Sequence, residues 1–240
     1  MNVETLKGAA RRLAARPWRV VEVQHRASTM RLVDTLAEQA LLEDLLEQAK
    51  PPTPADAAPL HYLLATPFRY PAPPPAGSRF RGIGDAGVWY GASALETALA
   101  EVAYWRLRFL ADSPGTPDLP PVPHTAFRAD VAGAGFALTD APFAPRRVEW
   151  EDPSSYAATQ ALARDAREAG IALIRYRSVR DPQHRACLAV LSPTAFRSKA
   201  PLEQHTWLVK VTRRRVIAEA DLGARRMAFE PAQLGFAAAA

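Results

Sequence analysis

Two periodicities run through this chain. Repeats of about 3.6 residues mark helices, and short alternating or continuous apolar runs mark strands. Residues 1–16 read as a short helix and PWRVVEV at 17–23 as a strand. STMRLVDTLAEQALLEDLLEQAK predicts a long amphipathic helix, with Ser28 or Thr29 as N-cap, leucines 32, 36, 42 and 46 on one stripe, and PPTP as its stop. From HYLLATPFRY onward strand signals become denser. The pattern predicts a strand near 87–92, a helix over 94–109, a proline-rich loop over 114–123, and strands near 124–131 and 135–139. A helix over 154–169 is opened by Asp152 and Pro153 and closed by Gly170, and strands follow near 171–177, 186–191, 206–211 and 215–220. No internal repeat is visible. Strands outnumber helices without regular βαβ alternation, which argues for an α+β domain.

Composition narrows the function classes. The 240 residues are 48% hydrophobic and 23% charged, an ordinary globular balance. One domain over 58–222 is expected, preceded by an N-terminal helical extension at 1–57 and followed by a C-terminal tail at 223–240. No apolar run is long enough to span a bilayer and no signal-peptide pattern is present, so a cytoplasmic protein without membrane contact is expected. The arginine-bearing start LKGAARRLAARPWR reads as an exposed helix or arm. Cys187, the single cysteine, sits in ACLAVL as a small buried hydrophobe. Histidines 25, 61, 124, 184 and 205 are scattered, so no metal is expected. The net charge of +5 permits anionic partners, but the arginines are dispersed. The basic run at 213–215 reads as a solvated turn, and no direct nucleic-acid binding is expected.

GIGDAG, residues 82–87, matches the dinucleotide fingerprint, and Glu101 lies where the ribose-binding acid would be sought. The fingerprint works only in the order strand, glycine turn, helix, because the pyrophosphate must meet free N–H groups of the helix. Here the order is loop, strand, helix: prolines 71, 73, 74 and 75 precede the glycines and GVWYGA follows them. The glycines therefore read as a tight loop feeding a strand.

The helix in VWYGASALETALAEVAYW holds two carboxylates. Ser93 and Glu96 form S-x-x-E, a capping box. Glu101 is the lone charge between Thr97 and Trp105, with Ala94, Thr97, Ala98, Tyr104, Trp105 and Arg108 as its helix-surface neighbours. A carboxylate there loses hydration and protonates or takes a cationic partner, either in a structural ion pair or in a working site. Arg69, Arg79 and Arg81 lie just upstream of the Tyr90 strand, and guanidinium groups suit pyrophosphate. Tyr90 offers a flat face to an aromatic ligand or belongs to the core. Ser178 sits where a strand turns, in SVRDPQHR, with no His–Asp arrangement around it for a nucleophile.

The ordered set Arg, Arg, Tyr, Glu and late Ser resembles the RES domain, a family of bacterial toxins. The phrases TPFRYPAPPPAGSRFRGIGDAGVWYGASALETALAE and GIALIRYRSVRDPQHRACLAVLSP carry most of the likeness, over roughly residues 58–220. The resemblance implies an α+β fold with mixed sheets and flanking helices, similar to ADP-ribosylating toxins. It implies NAD as substrate, not cofactor, with cleavage of the nicotinamide–ribose bond or transfer of ADP-ribose, and an Xre-like antitoxin as partner. By this resemblance Glu101, Tyr90 and Arg69 are catalytic, and Arg69, Arg79, Tyr90 and Ser178 bind NAD. Arg81 is the alternative to Arg79. The reading from another class is a non-enzymatic module whose basic cleft holds an anionic partner.

Overall fold

The structure, a computed structural model, describes residues 1–23, 32–71 and 77–236. Its helices are α1 (Val3–Ala9), α2 (Leu36–Gln48), α3 (Tyr62–Arg69), α4 (Leu95–Ala111), α5 (Arg147–Trp150) and α6 (Ala157–Glu168). Its strands are β1 (Arg11–Ala15), β2 (Trp18–Glu22), β3 (Trp89–Ala92), β4 (Asp118–Arg128), β5 (Val131–Ala137), β6 (Leu173–Arg177), β7 (Ala186–Val190), β8 (Glu203–Thr212), β9 (Arg215–Ala220) and β10 (Arg225–Phe229). All ten strands join one sheet in the order β1-β5-β6-β7-β3-β2-β4-β8-β9-β10. Among the described strands only β5 and β6 are parallel; α5 and α6 lie between them in the chain. The α+β expectation holds.

Strand alternation sorts side chains onto two faces. Trp89, Phe127, Leu173, Leu188 and Val190 bury one face against α3, through Leu63, Leu64 and Phe68. Their neighbours Ala126, Ile174, Cys187 and Ala189 bury the other against α4 and α6, through Leu99, Ala103, Leu107, Leu162 and Ala166. The two halves of the sheet meet at β2 and β3 through one register pair, Trp18 with Ala92. Elsewhere neighbouring strands share three to nine pairs, for example five between β6 and β7.

Several expectations change. The helix over 1–16 stops at Ala9, and RRLAA pairs with Val131–Gly135 as β1, sheet pairing overriding the helix propensity of Arg, Leu and Ala. Residues 1–57 therefore supply two strands as well as helices. The tail likewise supplies β10 to the sheet. The long amphipathic helix begins at Leu36, where Thr35 and Glu38 form a capping box; Ser28 and Thr29 lie outside the described residues. None of the residues of α2 is buried. HYLLATPFRY forms α3 instead of opening a run of strands.

The 114–123 loop is shorter than expected because β4 starts at Asp118. Pro120 and Pro121 fall in the register shift between Leu119 and Val122, and β2 pairs only with His124–Arg128, so these prolines occupy edge-like backbone. The Ser93–Glu96 capping box does not form: the N-cap is Ala94, without a side-chain bond.

The GIGDAG segment is the loop that feeds β3. A Cβ on Gly87 would lie 2.4 Å from Phe68 Cα and 2.5 Å from the Pro67 carbonyl oxygen, so α3 packs directly on this backbone. A Cβ on Gly8, exposed in α1, would meet nothing within 4 Å. Urea unfolding is expected to show opposite signs: a loss of about 1–3 kcal/mol for Gly87→Ala and a gain of up to about 1 kcal/mol for Gly8→Ala. An unchanged midpoint for Gly87→Ala would contradict the packing.

Candidate active site

Where β2 and β3 part, a cavity of about 570 Å³ opens on the α4 face of the sheet. Its walls come from β2, β3, α4, the loop 77–79, Tyr156, Tyr176, Val179, Arg180 and Cys187. Arg19 belongs to the opposite phase of β2 from Val20, and its guanidinium lies over the Trp89 ring at 5.6 Å. From there Nη1 donates to the Tyr90 carbonyl at 2.8 Å, so this side chain fills the gap between the parting strands. Burial lowers its pKa to about 10, which leaves it charged at neutral pH.

Glu101 stands on the second turn of α4 and lines this cavity. Its Oε1 accepts from Ser178 Oγ at 2.6 Å. The Ser178 oxygen itself accepts from the backbone N–H groups of Arg180 (3.1 Å) and Asp181 (2.9 Å), so its lone pairs are engaged and its proton is committed to Glu101. Burial pushes the Glu101 pKa above the ordinary carboxylate value, opposed by the Ser178 bond and by the charges of Arg79 and Arg180. A proton bound more tightly in the folded chain than in the unfolded one makes the fold relatively more stable on the acid side. That advantage is lost as pH rises through the raised pKa.

The turn carrying Ser178 is fastened to α4. Asp181, 3% exposed, accepts from Thr97 Oγ1 at 2.8 Å, one helical turn before Glu101. It also accepts from the N–H groups of Gln183 and Arg185 and pairs with the Arg185 guanidinium at 3.3 Å. Asp181 thereby holds the serine in register with the glutamate.

The remaining expected residues separate. Tyr90 lines the cavity, and its hydroxyl bonds Ser78 Oγ at 2.8 Å and the Phe80 N–H at 2.9 Å. Burial raises its pKa, so it stays a neutral phenol. Arg79 lines the cavity, donates to the Trp150 carbonyl at 2.9 Å and lies over the Tyr156 ring at 4.9 Å. Arg81 donates to the Tyr70 and Asp85 carbonyls and is not part of the cavity wall. Arg69 is also elsewhere: it donates to the Pro51 carbonyl (2.6 Å) and pairs with Glu47 (2.7 Å), tying α3 to α2. Ser178, fully buried, is off the cavity wall, and its hydroxyl is turned to Glu101. The Gly82 N–H is taken by Asp85 Oδ2 at 2.7 Å, so the glycine loop offers no open phosphate cradle at that position.

Sequence reasoning missed Arg19, Arg180 and Tyr156. Arg180 lies over the Tyr104 ring at 3.6 Å, and only its place two residues after Ser178 hinted at it. Cys187 also lines the cavity, its thiol pKa pushed well up by burial. Among the described residues no group of three His, Cys, Asp or Glu is placed to hold a metal, and no helix is long and apolar enough to cross a membrane.

A wall that joins arginine, tyrosine and a glutamate bonded by a buried serine gives geometric sense to a sequence match: the profile of the RES domain aligns with residues 53–211, more than half of the chain. The chain belongs to the RES domain family. No curated protein matches it in sequence. A chain of the crystal structure of the M. tuberculosis MbcT–MbcA toxin–antitoxin complex aligns with a TM-score of 0.48 and 12% identity, covering 96% of this RES protein and 92% of that chain.

Removing the Ser178 hydroxyl takes the donor from Glu101 and leaves two backbone N–H groups unpaired. For Ser178→Ala, the Glu101 carboxyl, followed by carbon-13 NMR across pH, is expected to titrate higher than in the parent. Stability is expected to fall by about 1–3 kcal/mol. A Glu101 titration that stays in place or moves down would show that Ser178 does not hold the carboxylate.

Proposed function

We propose that this protein is a toxin that consumes NAD by breaking its nicotinamide–ribose bond, and that an Xre-like antitoxin restrains it. RES family membership supports the toxin and its partner. The observation that carries the chemistry is Glu101, a carboxylate held by a buried serine in a cavity that also presents Arg79, Arg180 and Tyr90.

The arginines suit the pyrophosphate of NAD through charge-assisted hydrogen bonds, and Tyr90 or Tyr156 offers a face to the pyridinium ring. When the C1′–N bond breaks, its electron pair leaves with nicotinamide, whose ring nitrogen becomes neutral. Positive charge then gathers on the ribose C1′ and ring oxygen. An ionised Glu101 stabilises that charge and can accept from a ribose hydroxyl, the electrostatic role of a glycosidase carboxylate. An acceptor oxygen or nitrogen adds to C1′ and releases its proton. Water, phosphate or a protein side chain each satisfies this balance, and comparing products with and without inorganic phosphate identifies which is used.

Purified protein is expected to release nicotinamide from NAD. Glu101→Gln keeps shape but removes the charge, so release should fall by at least about 100-fold with the melting temperature retained. Glu96→Gln, on the exposed side of the same helix, should match the parent. NAD bound but never cleaved by the parent protein would favour the binding-module reading.

For Arg79→Ala the expected loss of NAD affinity, read by calorimetry, is about 10- to 100-fold, against little change for Arg81→Ala, whose guanidinium faces away from the cavity. The reverse order would place the pyrophosphate outside this cavity. Because burial raises the Glu101 pKa, the acid limb of turnover should lie above the ordinary carboxylate range, where the charged form is first populated. Production in bacteria should lower cellular NAD and arrest growth, and arrest with normal NAD would name another target.

A further inference from the structure

The cavity extends beyond the residues that suit nicotinamide, ribose and pyrophosphate. On α4, Trp105 and Phe109 follow Glu101 at i+4 and i+8, on the same stripe, and all three line the cavity. The rise of a helix puts Phe109 about 12 Å from Glu101 along the axis. Trp105 is 52% exposed and Phe109 54%, so two large aromatic side chains face open space inside a concave site. Tyr104 and Trp105 meet edge to face, with ring centroids 5.2 Å apart.

The polar groups at this end differ from those around Glu101. Glu22, at the end of β2, forms an ion pair with Arg106 of α4, and both line the cavity. His124 lies opposite Glu22 on the neighbouring strand, 1% exposed. Its Nδ1 meets the Val122 carbonyl at 2.9 Å, while its buried Nε2 has no hydrogen-bond partner among the described residues. Burial lowers the His124 pKa, and the Arg106 charge lowers it further, so the ring is neutral. Arg106 is offset by Glu22, and this end therefore carries no net cationic charge to attract a phosphate. It offers aromatic faces, a carboxylate acceptor and a neutral ring nitrogen, which is the chemistry that receives a flat, uncharged, amino-bearing heterocycle.

We infer that Trp105 and Phe109, with Glu22 and His124 beside them, form a purine subsite that holds the adenine end of the dinucleotide. The inference rests on the NAD reading for the identity of the nucleotide, but the subsite can be tested without turnover. Base-on-aromatic stacking typically contributes about 1–3 kcal/mol, or roughly 5- to 150-fold in affinity.

The probes are adenosine monophosphate and ribose 5-phosphate, titrated calorimetrically into the full-length protein. The parent is expected to prefer the purine nucleotide by about tenfold or more. Trp105→Ala should reduce that preference at least fivefold, Phe109→Ala should reduce it in part, and Trp105→Phe should restore most of it. Circular dichroism melts check that each variant folds. Equal affinity of the parent for both probes, or a preference that survives in a folded Trp105→Ala, overturns the subsite. A protein that shows the Trp105-dependent preference but releases no nicotinamide from NAD keeps the subsite and loses the NAD-cleavage reading.

Discussion

The site exists because one strand junction is nearly unmade. Backbone groups leaving a ladder must find other partners or meet water. Between β2 and β3 a single register pair holds the halves together, and beyond it the Tyr90 carbonyl is served by the Arg19 guanidinium. A continuous ladder there would close the cavity floor. The partial opening instead exposes Tyr90, Gly91 and Ala92 to the space under α4, while Arg19 keeps the parted edges from carrying a buried unpaired carbonyl.

Onto that opening α4 brings Glu101, and the turn after β6 brings Ser178. Neither element fixes the carboxylate alone. The serine proton is directed by two backbone donors behind it, and the turn is directed by Asp181, which takes the Thr97 hydroxyl one helical turn from Glu101. A charged group left in such a place would be costly without these bonds. The Ser178 bond and the charges of Arg79 and Arg180 favour the anion, against burial, which raises the Glu101 pKa. The groups that hold the anion are thus part of the fold's interior, whereas the ligand-facing ones line the cleft.

Legibility in the sequence followed how local each signal was. Glu101 stood out because a lone carboxylate on an otherwise small and aromatic helix face is visible within one element. Tyr90 and Arg79 lay on segments whose order was readable, and the loop–strand–helix order spoke against the strand, glycine turn, helix geometry of the dinucleotide fingerprint. Arg19 could not be read, since its importance comes from the gap between two strands far apart in sequence. The placement of Arg69 was hidden for the same reason: nothing local announces an arginine that bonds the Pro51 carbonyl and Glu47 and so ties α3 to α2. The strands β1 and β10 were hidden because Arg- and Ala-rich stretches carry helix or coil propensity and become strands only beside β5 and β9. The prolines of β4 concealed a strand whose first half is paired on one side only.

The central claim, that Glu101 faces the nicotinamide ribose of a dinucleotide laid along this cleft, is tested most directly by a crystal structure of Glu101→Gln with uncleaved NAD. The account predicts the ribose within hydrogen-bond distance of residue 101, the pyrophosphate against Arg79 or Arg180, and Ser178 still bonded to the residue-101 side chain. NAD seated outside the β2–β3 opening, or with its nicotinamide ribose remote from residue 101, would contradict it.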